Sequence, residues 1–256
     1  MFLSQLIVNT AGNPDQPRPG RDWVRQIYRV HQRIWMAFPD EHKRKADPFF
    51  LGEWSAPDSR KPRRTEAGFL FRVEPDLPTR VLVQSVLKPD WDYAFQNARH
   101  FLAETPEVRE FNPELVQGSI YRFRLTMLMV KRRTLKEGET RSTTEHPIRC
   151  LIPSTNPGDP PVLDPKFTAW REKLKTEGLS HGFEPGIYPQ KLSVAPVRNL
   201  LMKPESNGKS KPFNAAMFEG ELICTDVAKL KSAILNGIGR GKAFGMGLLS
   251  LAKAKA

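Results

Sequence analysis

Apolar positions along this chain recur with two periods, and the switches between them mark the predicted elements. Phe2–Val8 is a short apolar run that reads as a strand. Pro14 to Gly20 hold three prolines and predict a turn. Apolar residues then follow at Trp23, Ile27, Val30, Ile34 and Phe38, near helical spacing, with Asp22 placed to cap the helix and Pro39 to end it. Residues 40–65 are charged and rich in proline, and predict an excursion from the fold. Gly68–Glu74 (GFLFRVE) and Arg80–Leu87 (RVLVQSVL) predict two strands joined by a proline-containing turn. A helix or irregular stretch follows over Trp91–Phe111. Ser119–Val130 (SIYRFRLTMLMV) predicts a long strand with partial period-two alternation.

The resulting order, β-α-β-β-α-β, is the ferredoxin-like pattern. The second half repeats it more loosely. His146–Ile152 reads as a strand. Asp164-Pro165 starts a helix that turns Phe167, Trp170 and Leu174 inward. Gly182–Val197 is extended, and Phe213–Cys224 is a strand or hairpin. Asp226 caps a helix carrying Val227, Leu230 and Ile234, and Leu248–Ala252 is the last strand. The predicted fold class is α+β: two tandem ferredoxin-like (RRM-like) βαββαβ domains, 1–135 and 136–256, joined near the polar run at 131–145.

Charge narrows the partner. Lys and Arg number 40 against 28 Asp and Glu, a net charge of +12 that favours a polyanion through counterion release. The alternative source of that attraction is an anionic membrane surface. No stretch approaches the roughly 18 apolar residues of a membrane span, and no membrane partner is expected. Phe2–Val8 lacks a basic n-region and a cleavage site, unlike a signal peptide. Cys150 and Cys224 are far apart and match no metal-ligand spacing. Two thiols without an export signal fit the cytoplasm. No metal and no cofactor are expected.

Candidate chemistry lies in two segments. Tyr28 and His31 are three residues apart, hence on one face of the helix, with Trp35 one turn on. Their line is rotated about 100° from the Ile27–Val30–Ile34 stripe, so it flanks the core rather than filling it. A neutral imidazole takes a proton near pH 7 and its cation gives one. A phenol orients or donates to a reacting oxygen. RNA carries its own nucleophile, the 2′-hydroxyl, so a base and an acid suffice, each worth roughly 10²–10⁴-fold. The bland alternative is that the pair merely borders the core.

The second segment runs Gly237-Ile-Gly239-Arg240-Gly241-Lys242-Ala-Phe244-Gly245-Met-Gly247, five glycines in eleven residues. It fits neither the P-loop nor the dinucleotide fingerprint, and it follows a helix rather than preceding one. Its amides can approach phosphates closely, with Arg240 and Lys242 supplying charge. A tight turn is the alternative. Basic residues also cluster at Lys43–Lys45, Arg60–Arg64, Lys131-Arg132-Arg133 and Lys203–Lys211.

With both segments read, the chain resembles the CasE family of CRISPR-associated endoribonucleases, the crRNA-processing subunit of type I-E Cascade. The resemblance rests on Tyr28-x-x-His31-Gln-x-x-Trp35-x-x-Phe38-Pro39, Phe69–Glu74, Val81–Ser85, Tyr121–Leu125, Phe218-Glu-Gly220 and, most specifically, Gly237-Ile-Gly through Gly247-Leu-Leu-Ser-Leu. It implies that His31 is catalytic, with Tyr28 its partner. The glycine loop would contribute to RNA binding and fold. Gly237, Gly239, Arg240, Gly241 and Lys242 are therefore candidate RNA contacts, together with Lys131, Arg132 and Arg133. The implied partners are the CRISPR repeat hairpin and other Cascade subunits. The implied reaction is metal-independent cleavage to a 2′,3′-cyclic phosphate and a 5′-hydroxyl. The competing readings are a non-catalytic RRM-like RNA-binding protein and a purely structural assembly subunit.

Overall fold

In a computed structural model the described residues are 1–10, 18–38, 68–74, 78–132, 145–152, 162–164, 166–186, 191–197 and 213–254. The 40–65 excursion, most of the polar run at 131–145, Arg133 and the Lys203–Lys211 cluster lie outside them.

The fold is α+β and is built on two four-stranded antiparallel paths. The first sheet comprises β1 (Phe2–Ile7), β2 (Phe69–Glu74), β3 (Arg80–Ser85) and β4 (Glu107–Glu110), in the order β2-β3-β1-β4. The second comprises β5 (Ile120–Leu128), β10 (Phe183–Pro185), β12 (Ala215–Cys224) and β13 (Ser250–Lys253), in the order β10-β12-β5-β13. Counting strands along the chain, both orders read 2-3-1-4. A short strand β11 (Ser193–Pro196) also pairs with β12.

The strand over Ser119–Val130, expected to close the first unit, is β5 and instead opens the second, pairing Phe123 with Gly220 and Leu251. The first sheet is closed by Glu107–Glu110, inside the stretch expected to be helical or irregular. The two sheets therefore part between Glu110 and Ile120, not at 135/136. The closing strand was hidden because it is a solvent-facing edge strand, Glu-Val-Arg-Glu, with only Val108 to bury. The expected strand over His146–Ile152 resolves into two short pairs, β6 (Val130–Arg132) with β7 (Glu145–Pro147) and β8 (Leu151–Ile152) with β9 (Val162–Leu163).

The single helix expected from Asp22 to Phe38 is two: α1 (Pro19–Arg25) and α2 (Ile27–Trp35). Pro19 occupies the first turn, where its missing N–H is no loss, and Asp22 lies inside the helix rather than capping it. Gln26 breaks the path at φ −105°, ψ 78°, and its amide turns back to the Trp23 carbonyl at 3.1 Å. The predicted stripe survives the break: Trp23, Ile27, Val30, Ile34 and Phe38 are all buried, packed with Leu6, Phe71, Val81 and Val83. A short helix α3 (Trp91–Phe95) follows β3, its N-terminus capped by Asp90, which accepts from the Tyr93 amide at 2.9 Å.

The second core gathers Phe123, Leu125, Phe218 and Leu222 under α4 (Thr168–Ser180) and α5 (Val227–Asn236), through Trp170, Leu174, Leu230 and Ile234. Asp226 caps α5 as its position predicts, accepting from the Lys229 amide at 3.0 Å. Asp164 lies ahead of α4, its carboxylate taking the amides of Lys166 and Thr168 at 2.8 Å each. Cys150 and Cys224 are both free and buried, and burial raises both thiols above their usual range.

The sheets are joined by buried polar contacts. Arg72 on β2 is 4% exposed; it donates to Glu74 Oε1 at 2.7 Å, to the Leu248 and Arg124 carbonyls at 3.1 and 3.2 Å, and to Ser250 Oγ at 3.0 Å. Glu74 also receives Arg124 at 2.5 Å, and Arg124 pairs in turn with Glu219 on β12. Gln84 reaches the Ile234 carbonyl at 2.5 Å. Around this network lies a cavity of about 1130 Å³ between the sheets. Among the described residues no helix is long and apolar enough to cross a membrane.

Candidate active site

Helix α2 sets the site by what it buries. Ile27, Val30 and Ile34 fill the core, which leaves Tyr28 and His31 half-buried at its flank, as the rotation of the helix predicts. Phe69 and Phe71 alternate along β2 onto one face and meet that flank. The His31 ring stacks on Phe69 at 5.3 Å and lies 6.1 Å from Phe71 and 6.0 Å from Trp35. His31 Nδ1 is buried with no hydrogen-bond partner among the described residues. Nδ1 therefore has no room for a substrate oxygen, and a proton-transfer role for this ring falls to Nε2. Burial in this aromatic nest lowers the imidazole below its ordinary value of 6.5, because the cation would lose hydration without gaining a counter-charge. The neutral ring is favoured, the form that accepts a proton.

Tyr28 stands between His31 and the glycine loop, its ring 6.4 Å from that of His31 and 6.4 Å from that of Phe244. Phe244 closes a 3₁₀ turn, Lys242–Phe244, and also packs on Phe213 at 4.8 Å. The loop therefore rests against α2 and β2. Its first glycine shows why. Gly237 ends α5 at φ 71°, ψ 159°, a region closed to side-chain-bearing residues, and a Cβ there would come within 2.8 Å of Leu70 on β2. At the far end the loop is pinned by backbone bonds, the Ile238 amide to the Gly247 carbonyl at 2.9 Å and the Gly247 amide to the Thr126 carbonyl at 2.8 Å. Gly239 and Arg240 lie at the exposed tip, while Gly241 and Lys242 are half-buried beside it.

The two segments singled out in the sequence thus converge on one place. Of the other basic candidates, two lie on β6. Lys131 is exposed on β6, opposite His146 in the β6–β7 ribbon, and Arg132 continues the same strand. Phe69, Phe71 and Phe244 were not anticipated as parts of the site. For Phe69 and Phe71 the signal is their i, i+2 spacing on β2, which gives the histidine flank an aromatic floor. Among the described residues no three His, Cys, Asp or Glu side chains converge into a group that could hold a metal ion.

The sequence profile of the family described as CRISPR associated protein matches residues 1–253. The chain belongs to that family. Within it, the chain is 30% identical over 259 residues to the CRISPR-associated endoribonuclease Cse3 of Thermus thermophilus, across 98% of this chain and 100% of that protein. It is 27% identical over 256 residues to the Cascade subunit CasE of Escherichia coli K12, across 98% of this chain and 99% of the other, which aligns it with the CasE members of the family. The fold resembles that of Thermus thermophilus Cse3 bound to an RNA representing a pre-cleavage complex, with a TM-score of 0.61 at 23% identity over 98% of both chains. This family member thus carries the expected fold class, with the strand assignments corrected above.

Proposed function

We propose that this chain is an endoribonuclease that cuts precursor CRISPR RNA at the repeat stem-loop and remains on its product as a Cascade subunit in the cytoplasm. Support comes from the names of its relatives, an endoribonuclease and a Cascade subunit, and from its net charge of +12. The observation that carries the reading is the half-buried His31, its Nδ1 buried and unpartnered among the described residues, set beside Tyr28 and, through Tyr28, the basic glycine loop.

In the proposed reaction the 2′-hydroxyl beside the scissile phosphate loses its proton as its oxygen bonds to phosphorus. The bond from phosphorus to the 5′-oxygen breaks, and that oxygen takes a proton. The products are a 2′,3′-cyclic phosphate and a 5′-hydroxyl. No water and no metal enter the balance. His31 acts as general base or acid through Nε2, and the Tyr28 hydroxyl orients or shares the proton. Arg240 and Lys242 hold phosphates beside the cut. Lys131, Arg132 and Arg133 hold the stem, which is read by its shape and backbone. In this arrangement the first unit supplies the catalytic helix and the second the glycine loop. The test is cleavage of a labelled repeat RNA in EDTA, with end analysis of the fragments. A 2′,3′-cyclic phosphate supports the reading, and a strict requirement for added magnesium overturns it.

A further inference from the structure

We propose that Trp35 is a substrate-positioning residue, a stacking platform for an unpaired nucleobase next to the scissile phosphate. Trp35 follows His31 by four residues on the same face of α2, its ring 6.0 Å from the imidazole. It is 46% exposed, whereas Trp23, Trp91 and Trp170 are buried. The core does not need it there. Phe69 already stacks with Phe38 at 5.1 Å and with His31 at 5.3 Å, and Trp35 meets Phe69 only edge-on, at 69° and 6.0 Å. A large aromatic ring is thus left facing solvent one helical turn from the nitrogen that would move the proton.

The chemistry supplies its occupant. This assignment rests on the ribonuclease reading above. In-line displacement needs the 2′-oxygen, the phosphorus and the 5′-oxygen nearly collinear, and a regular A-form stack does not offer that arrangement. One base flanking the phosphate must leave the stack, at the expense of its stacking energy. An aromatic side chain beside the phosphate returns that energy, and it does so for any base, because every base has a π-face. Trp35 is placed to receive that base while the phosphate lies over His31.

The test uses the full chain and a repeat RNA in which a 2′-deoxy nucleotide blocks the mapped cut. 2-Aminopurine replaces the base on one side of the scissile phosphate, then on the other. Wild-type protein is expected to quench one of the two probes several-fold. Trp35→Ala is expected to restore its fluorescence and to slow single-turnover cleavage of the unblocked RNA by about ten-fold, the scale of one lost base–aromatic stack. Trp35→Phe, which keeps an aromatic ring, should retain most of both. Equal quenching by wild type and Trp35→Ala, or unchanged cleavage in Trp35→Ala, overturns the role of Trp35 while leaving the ribonuclease reading intact. No cleavage by wild type overturns that reading, and the platform with it.

Discussion

The ring of Phe244 in the glycine loop lies 6.4 Å from the ring of Tyr28 on α2. The two segments are more than two hundred residues apart in sequence, and this contact makes them one site. It also means that loop variants have two separable effects, on the site's architecture and on its charge.

Architecture is tested at the glycines. Gly237→Ala combines a forbidden backbone region with a clash against Leu70 at 2.8 Å. It should lower stability by about 2–3 kcal/mol, within the range for strained backbone plus overpacking. Gly239 has φ 73°, but a Cβ there would meet nothing nearer than Met127 Cε at 3.9 Å, so Gly239→Ala should cost only about 1 kcal/mol. Urea unfolding of the two variants gives the comparison. Equal losses would mean that the Leu70 contact does not matter.

Charge is tested by salt. If Arg240 and Lys242 meet phosphates, each alanine variant should flatten the slope of log K against log salt by about 0.7–0.9. Hairpin binding at three salt concentrations measures this. An unchanged slope in a stably folded double variant would remove the loop's charges from the RNA site.

The joint between the sheets carries its own prediction. Glu74 binds both Arg72 and Arg124, and Arg72 is almost wholly buried. Glu74→Ala leaves Arg72 with neutral hydrogen-bond partners only, and should cost about 3–5 kcal/mol, as for other broken buried pairs. Replacing Arg72 and Glu74 together by Met and Leu should cost less than Glu74→Ala alone. Denaturant melts of the single and double variants decide the matter, and a double variant worse than the single would contradict it.

Burial of His31 makes two statements about pH. Its folded value lies below 6.5, so the limb of the cleavage profile that titrates it should fall below pH 6.5. The unfolded chain binds that proton more readily, so His31 lowers stability as pH drops through 6.5 and contributes nothing of this kind above it. His31→Phe removes both the titration and the unpaired Nδ1. Its stability advantage over wild type should therefore be larger at pH 5 than at pH 7.5. A gap that shrinks toward acid would contradict the burial of the imidazole.

What was legible in the sequence follows from how each element earns its place. The stripe from Trp23 to Phe38 is set by burial alone, and five apolar residues at helical spacing declare it. The break at Gln26 leaves no such mark, since glutamine is an ordinary helix former. β4 leaves no mark in the sequence because an edge strand buries little, and without it β5 is the next strand in line to close the first sheet. Arg72 and Glu74 read as an ordinary polar pair in a strand, since local spacing carries no sign of a partner fifty residues away on β5. Tyr28 and His31 were legible because helical geometry alone puts them on one flank. Phe244 was not, because its contact depends on where the loop lands.

The most direct test of the central claim is single-turnover cleavage of a repeat hairpin by His31→Ala and wild type, side by side in EDTA. The account predicts a rate loss of at least roughly 10²-fold in the variant, with hairpin affinity little changed and wild-type activity intact without metal. A variant that cuts at the wild-type rate would contradict it.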